Sequence, residues 1–313
     1  MKPILNPSRL KAMAQCWFRY WVNYVMDLEA TDNFAHKREF GTYVHEAEAA
    51  HDEMKNVGKA LIAQTRKFKR EPWYNPMLTK ALAQLEKEAM LLHNGHMFKN
   101  AKGEGHVVES YEDWAQKYMK NSEVVAVEER LFVDLGPVMV APKLDFILKT
   151  YGWFGSGEEL WVVDRKTTER WDDKNWQWRW TLDGQTTIQA LALESKFGKE
   201  IAGVMIEPIQ ITRQHRKGIS DPQPIGKAQR LPMKWVRKPR AVLDDMMFYL
   251  EDIKYELQMR HEQNNWPKNG AAGSACDFCK LKKLCKGEID MNQLHNRKPD
   301  EVDDFEAQKA RKK

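Results

Sequence analysis

No stretch of the chain approaches the roughly 18 consecutive apolar residues that a membrane-spanning helix needs, and mean hydropathy is −0.69. The opening residues, MKPILNPSRLKAMAQCWF, lack an apolar core followed by a small-residue cleavage site, so a soluble, cytoplasmic protein with no membrane partner is expected. Glycine and proline number 17 and 13 in 313 residues, too few for a collagen-like or low-complexity chain. Cysteine occurs only four times, which argues against a disulfide scaffold in a chain of this size. There is no G-x-x-x-x-G-K-[ST] phosphate loop, so ATPase or helicase activity is not encoded by that motif, and no internal repeat is visible.

What is present is unevenly distributed. At 42% hydrophobic and 30% charged, 313 residues can bury the core of one large or two modest domains. Net charge is only +5, yet Thr212 to Arg240 holds nine Lys or Arg against one acid, Asp221. A basic segment on a slightly acidic body points to a polyanion partner, with a solvated loop as the alternative. Cys276, Cys279 and Cys285 form C-x2-C-x5-C near the C-terminus, a spacing suited to thiolate ligation of zinc or an iron–sulfur cluster. Trp171, Trp176, Trp178 and Trp180 fall close together and alternate with Lys174 and Arg179. Such mixing of rings and cations suits single-stranded nucleic acid, although core packing gives the same pattern.

Periodicity predicts an α+β fold. Three helices are expected first: Arg9 to Leu28 capped by Ser8, Phe40 to Lys69, and Met77 to Lys99. VVAVEERLFVDL, VMVAPKLDFILKT and LWVVDRKTT then read as a strand meander, Leu182 to Phe197 as a crossover helix, and IAGVMIEPIQI as a fourth strand. A last helix covers Ala241 to Gln263. The divisions are a helical region at 1–121, a core with the basic segment at 122–240, a helix with the cysteine cluster at 241–286, and a mobile charged tail at 287–313.

Asp164 and Lys166 share one face of their strand because side chains alternate. The pair is either a surface ion pair or a carboxylate for a hard cation beside an ammonium that handles water or a leaving oxygen. Asp145, on the neighbouring strand, supplies a second carboxylate in KLDFILK. Glu128 and Glu129 lie on the first strand; Glu129 is the better candidate for a supporting role, and both can equally be strand-surface acids.

Taken in order, Gly41-Thr42-Tyr43-Val44-His45, Asp145, Asp164-Arg165-Lys166, and Gln185 with Gln189 resemble the RecB-like branch of the PD-(D/E)XK nucleases. Cys16 ahead of this core and the Cys276, Cys279, Cys285 trio behind it resemble the iron–sulfur members, including CRISPR-associated and AddB-type nucleases. Two positions depart from the pattern: Pro142 stands where the family often has glycine, and Gln189 replaces its usual tyrosine.

The resemblance implies a restriction-endonuclease-like fold, a central mixed sheet flanked by helices. It implies that His45, Asp145, Asp164 and the backbone carbonyl of Arg165 hold Mg2+ or Mn2+, that Lys166 orients water or stabilises charge, and that Gln185 orients Lys166 or the phosphate. It further implies a [4Fe–4S] cluster on the four cysteines, with zinc as the competitor. Trp176, Trp178, Arg179, Arg213, Arg216 and Lys217 are the candidate DNA contacts. The expected activity is metal-dependent hydrolysis of DNA phosphodiesters by an exonuclease acting on single-stranded ends in preference to duplex. The setting would be recombination, repair, phage DNA processing or CRISPR adaptation, with a helicase, recombination or CRISPR protein as possible partner. The alternative is a non-cleaving DNA-binding or structural iron–sulfur subunit of a helicase–nuclease complex.

Overall fold

The apolar runs VVAV, FIL, LWVV and VMI are the segments that pair into the central sheet. The structure is a computed structural model that describes residues 3–30, 36–71, 73–99, 105–153, 157–168, 176–213, 225–268, 279–297 and 303. Its main sheet has strands β1 (Ser122–Arg130), β2 (Lys143–Tyr151), β3 (Glu158–Thr168), β4 (Gly203–Arg213) and β5 (Ile225–Arg230). Their order is β5-β4-β3-β2-β1, and β6 (Lys234–Val236) pairs beside β5's partner, β4. The β3–β4 pair is parallel and the others antiparallel, so the sheet is mixed as expected. The crossover between the parallel strands contains the helix Gly184–Phe197.

Helices cover both faces. On one side are α1 (Pro7–Gln15), α6 (Gly184–Phe197) and α7 (Arg240–Gln263), sharing an apolar cluster with Ile147, Leu160, Val162, Val204 and Ile206. On the other are α2 (His36–Asp52), α3 (Val57–Phe68), α4 (Thr79–Asn94) and α5 (Tyr111–Tyr118). There Phe40, Tyr43, Leu61, Leu82 and Leu85 pack with Ile209, Ile211 and Ala228, while Tyr111 and Trp114 meet Phe146, Trp161, Val163 and Met205. Burying a side chain of this size contributes about 1.5–3 kcal/mol, so the sheet is clamped from both sides.

Several boundaries differ from the sequence expectation. Asn6, not Ser8, caps α1, accepting the Arg9 N–H at 2.8 Å. The first helix then breaks at Cys16, whose φ of −171° and ψ of 119° are extended, and resumes as Trp17–Tyr20 and a π-turn at Trp21–Val25. The expected helix from Phe40 to Lys69 is two helices. Met54 takes a positive φ of 55°, and Asn56 starts the second by accepting from the Lys59 N–H. Gly95, at φ +73° and against the backbone of Ser110, ends α4 before Lys99.

The segment from Thr212 to Arg240 is not simply a loop: β5 and β6 lie within it. Helix α5 carried no expectation, being a short unit capped by Ser110. Within the stretch expected as a mobile tail, His295–Asn296 pairs with Leu28–Glu29 and Arg297 binds the Asn23 carbonyl and Asp27. Those described residues are thus docked on the N-terminal segment, because a guanidinium there finds two acceptors. Among the described residues no helix is long and apolar enough to cross a membrane.

Candidate active site

Strand β3 carries Asp164-Arg165-Lys166 in its second half, and alternation sends the middle residue away from its neighbours. On one face Lys166 Nζ donates to Asp164 Oδ1 at 2.9 Å, and Gln185 Nε2, from the first turn of α6, donates to the same oxygen at 3.1 Å. Gln185 reaches it because Asp183 caps α6, accepting the Thr186 N–H at 2.9 Å, which fixes the direction of the first turn. Asp145 comes from the adjacent strand and accepts the Arg165 backbone N–H at 2.6 Å on Oδ2.

A helix supplies the next group. His45 Nδ1 lies 3.5 Å from Asp145 Oδ1 and 3.5 Å from Glu128 Oε1. The ligand atoms of His45, Glu128 and Asp145 all lie within 4.8 Å of one another. Glu128 gets there through an irregular strand. The β1–β2 register shifts between Val124 and Ala126, and the pairs Val127–Phe146 and Glu129–Leu144 flank Glu128, placing it opposite Asp145. Its φ of +50° is a strained backbone for a non-glycine residue, the kind of cost found where a side chain is re-aimed.

The charged groups at the site shift one another. Burial pushes the Asp164 carboxyl up, against the pull of Lys166 and with further help from Asp145, to about 6. Burial also opposes charge on His45, but Asp145 and Glu128 outweigh it and raise the imidazole to about 9. Glu128 is disfavoured as an anion by burial, yet His45 and Lys143 bring it down to about 2. Lys166 is likewise opposed by burial and held charged by Asp164. Glu128 Oε1 is buried and makes no hydrogen bond. An imidazole and two carboxylates converging on a buried, unsatisfied oxygen fit a hard divalent cation that also tolerates nitrogen.

Arg165 points to the opposite face. Its Nε lies 2.7 Å from Glu48 Oε2 and 3.1 Å from Glu207 Oε2, and its Nη2 donates to Asp52 Oδ2 at 2.9 Å and to the Tyr111 hydroxyl at 2.8 Å. Arg230 pairs with the same Glu48 and Glu207. Glu48 stands three residues after His45 on α2, so this network fixes the helix that carries the imidazole.

The expected site residues are therefore partly gathered. His45, Asp145, Asp164, Lys166 and Gln185 meet, but Asp164 is bound to Lys166 and Gln185 and does not join the converging trio. Glu128 does join it. Glu129, the acid favoured by sequence, instead pairs with Lys196 on α6. The doublet itself was the signal, but only the strand irregularity decides which acid turns inward. Gln189 is buried and donates to the Lys143 carbonyl at 3.2 Å, so it braces β2.

The candidate nucleic-acid contacts are less gathered. Trp176 and Trp178 open a short helix, Trp176–Thr181, but their side chains lie outside the described residues, as do the Arg213 side chain and all of Arg216 and Lys217. Arg179 is exposed, with its guanidinium 5.3 Å from the Trp180 ring centre, whereas Trp180 belongs to the apolar core. Arg237 and Arg240 bind Glu159 and Glu194.

Cys276 also lies outside the described residues. Cys16 and Cys279 carry free thiols, and Cys285 is exposed. Cys279 packs with Val22, Phe18, Trp21, Leu281 and Leu284, which brings the segment after Cys16 against the C-terminal cysteine segment. Cysteines on two segments that pack together suit a shared thiolate-bound group.

A model of the PD-(D/E)XK nuclease superfamily matches residues 4–286. No curated protein matches the chain. Among solved structures, one from Eubacterium rectale named "Putative exonuclease" is 13% identical, with 96% of this chain and 92% of that chain covered at a TM-score of 0.46. Another, named SSO0001, is 11% identical, covering 88% and 96% at a TM-score of 0.28. Both overlaps are too distant to argue from.

Proposed function

Since the chain belongs to the PD-(D/E)XK nuclease superfamily, we propose that it is a metal-dependent deoxyribonuclease of the RecB-like branch. In this reading it is an exonuclease acting on single-stranded DNA ends, in the cytoplasm of a bacterial or phage-infected cell. The observation that carries the reading is the convergence of His45, Glu128 and Asp145 beside the Asp164–Lys166–Gln185 cluster.

His45 Nδ1 and carboxylate oxygens of Glu128 and Asp145 would hold Mg2+ or Mn2+, with Asp164 and the Arg165 carbonyl completing the protein's share. The bound ion lowers the pKa of a water and neutralises phosphoryl oxygens. Lys166 keeps its ammonium at the edge of the cluster, where it orients the attacking water or meets developing negative charge. Gln185 holds Asp164 in place, and the Arg165 N–H holds Asp145. The imidazole favours Mn2+ over Mg2+.

Cys16, Cys276, Cys279 and Cys285 hold a [4Fe–4S] cluster as a structural tie between the chain's two ends, with zinc the competing occupant. Trp176, Trp178, Arg179, Arg213, Arg216 and Lys217 contact the DNA, and a helicase or other recombination protein supplies ends.

The test is end-labelled single- and double-stranded DNA incubated with and without Mn2+, using the wild type and Asp164→Ala. Release of labelled nucleotides by the wild type alone, and only with metal, supports the reading. Equal activity of the two proteins would remove the site assignment. DNA binding without cleavage would favour the non-cutting subunit.

A further inference from the structure

Lys238 lies between β6 and α7, in the basic segment, yet its ammonium is turned inward. The three N–H groups of Nζ lie among four acceptors, the carbonyls of Trp180 at 2.6 Å, Thr181 at 2.9 Å and Asp183 at 3.4 Å and the Thr187 hydroxyl at 3.1 Å. Two of these carbonyls end the short helix Trp176–Thr181. Terminal helix carbonyls have no partner within their own helix and carry partial negative charge, so a cation there satisfies both needs. The Asp183 carbonyl also accepts from Thr186 Oγ1 at 3.1 Å and Thr187 Oγ1 at 2.7 Å. Lys238 therefore gathers the turn from Trp180 to Asp183 and the first turn of α6 around one nitrogen.

That turn presents both supports of the D-R-K residues. The Trp180 ring centre lies 5.9 Å from Lys166 Nζ, and Gln185, two residues after Asp183, donates to Asp164. Burial has a cost for this ammonium, which it pushes down to about 8, so the site is not a passive surface contact.

We propose that Lys238 is a positioning residue of the nuclease site, acting through the Trp180–Asp183 turn to hold Gln185 on Asp164 and Trp180 beside Lys166. The inference rests on the proposed nuclease activity. It assigns Lys238 no contact with DNA or metal. Its loss loosens the aim of Gln185 without removing any group assigned to contact DNA.

The test measures Mn2+-dependent cleavage by the wild type, Lys238→Met, Gln185→Ala and the double variant, with thermal melting as a folding control. Lys238→Gln, which keeps N–H donors without charge, replaces Lys238→Met if that variant fails to melt cooperatively. The expected result is a fall in kcat of about ten-fold with KM changed less than about two-fold, the pattern for support given to the transition state alone. The double variant should then be no slower than Gln185→Ala, because both act through one contact. Multiplying effects, or a rise in KM with kcat unchanged, overturns the positioning role and leaves the nuclease reading standing. A wild type that does not cleave overturns both.

Discussion

The two faces of strand β3 carry similar chemistry at different depths. On the Arg165 face, two arginines meet Glu48, Glu207 and Asp52, with Tyr111 adding a hydroxyl. The charges there are buried and tied into one network, two guanidiniums against three carboxylates. On the Asp164 face, Asp145, Asp164 and Glu128 face Lys166, Lys143 and His45, and Glu128 Oε1 stays without a hydrogen bond. What separates the faces is accessibility and the kind of cation: guanidiniums locked between fully buried carboxylates hold a structure together, whereas an imidazole and two carboxylates that are only partly buried are donors an added divalent ion can use. By alternation, one strand thus contributes to a brace on one face and to the candidate site on the other.

The comparison breaks first on the site face. Asp145→Ala and Asp164→Ala should each lower Mn2+-dependent cleavage on the order of 10³-fold, the scale of losing a preorganised charge-stabilising group, with melting temperature held or raised in chelator. A comparable loss of melting temperature in both would erase the distinction between the faces. On the brace face, Arg230→Met should cost about 3–5 kcal/mol in denaturant unfolding, because Glu48 and Glu207 lose a buried partner. A shift within error would show that the network is not structural.

A finer comparison sets two adjacent acids against each other. Glu128→Gln should weaken Mn2+ activation by about 10–100-fold, the range for disturbing a metal's supporting groups. Glu129→Gln removes only the surface pair with Lys196, worth about 0–1 kcal/mol, and should leave the Mn2+ titration unmoved. The reverse outcome would restore the assignment that sequence favoured.

The smallest effect is a pH dependence. Burial, together with Glu48, raises the Glu207 carboxyl to about 7 despite its arginines. The folded state then binds this proton more tightly than the unfolded chain, with its ordinary value of 4.5. The stabilising contribution is complete below 4.5 and is lost as pH rises through about 7. Melting curves of Glu207→Gln should show a flatter decline than the wild type across that window; parallel curves would assign the dependence elsewhere.

Much of this was readable before any coordinates. Strand alternation put Asp164 and Lys166 together, and the apolar runs marked the four long strands. The cluster around His45 was legible as an ordered set of short motifs, not as geometry. What escaped has local causes. The α2–α3 break depends on one positive-φ methionine, Met54, which composition does not announce. Arg230 and Lys238 read as members of a basic surface, yet both turn inward because acceptors from distant segments surround them. For Trp180 the sequence left stacking and core packing both open, and the structure places it in the core.

By itself, then, the sequence determined the four long strands, the order of the chemical groups and the face shared by Asp164 and Lys166, since these follow from period and spacing along the chain. Only the tertiary structure decided that Glu128 rather than Glu129 reaches the imidazole, and which cations are braces rather than contacts. A one-residue register shift and the pairing of buried charges depend on partners far away in the chain, and local pattern does not carry that information.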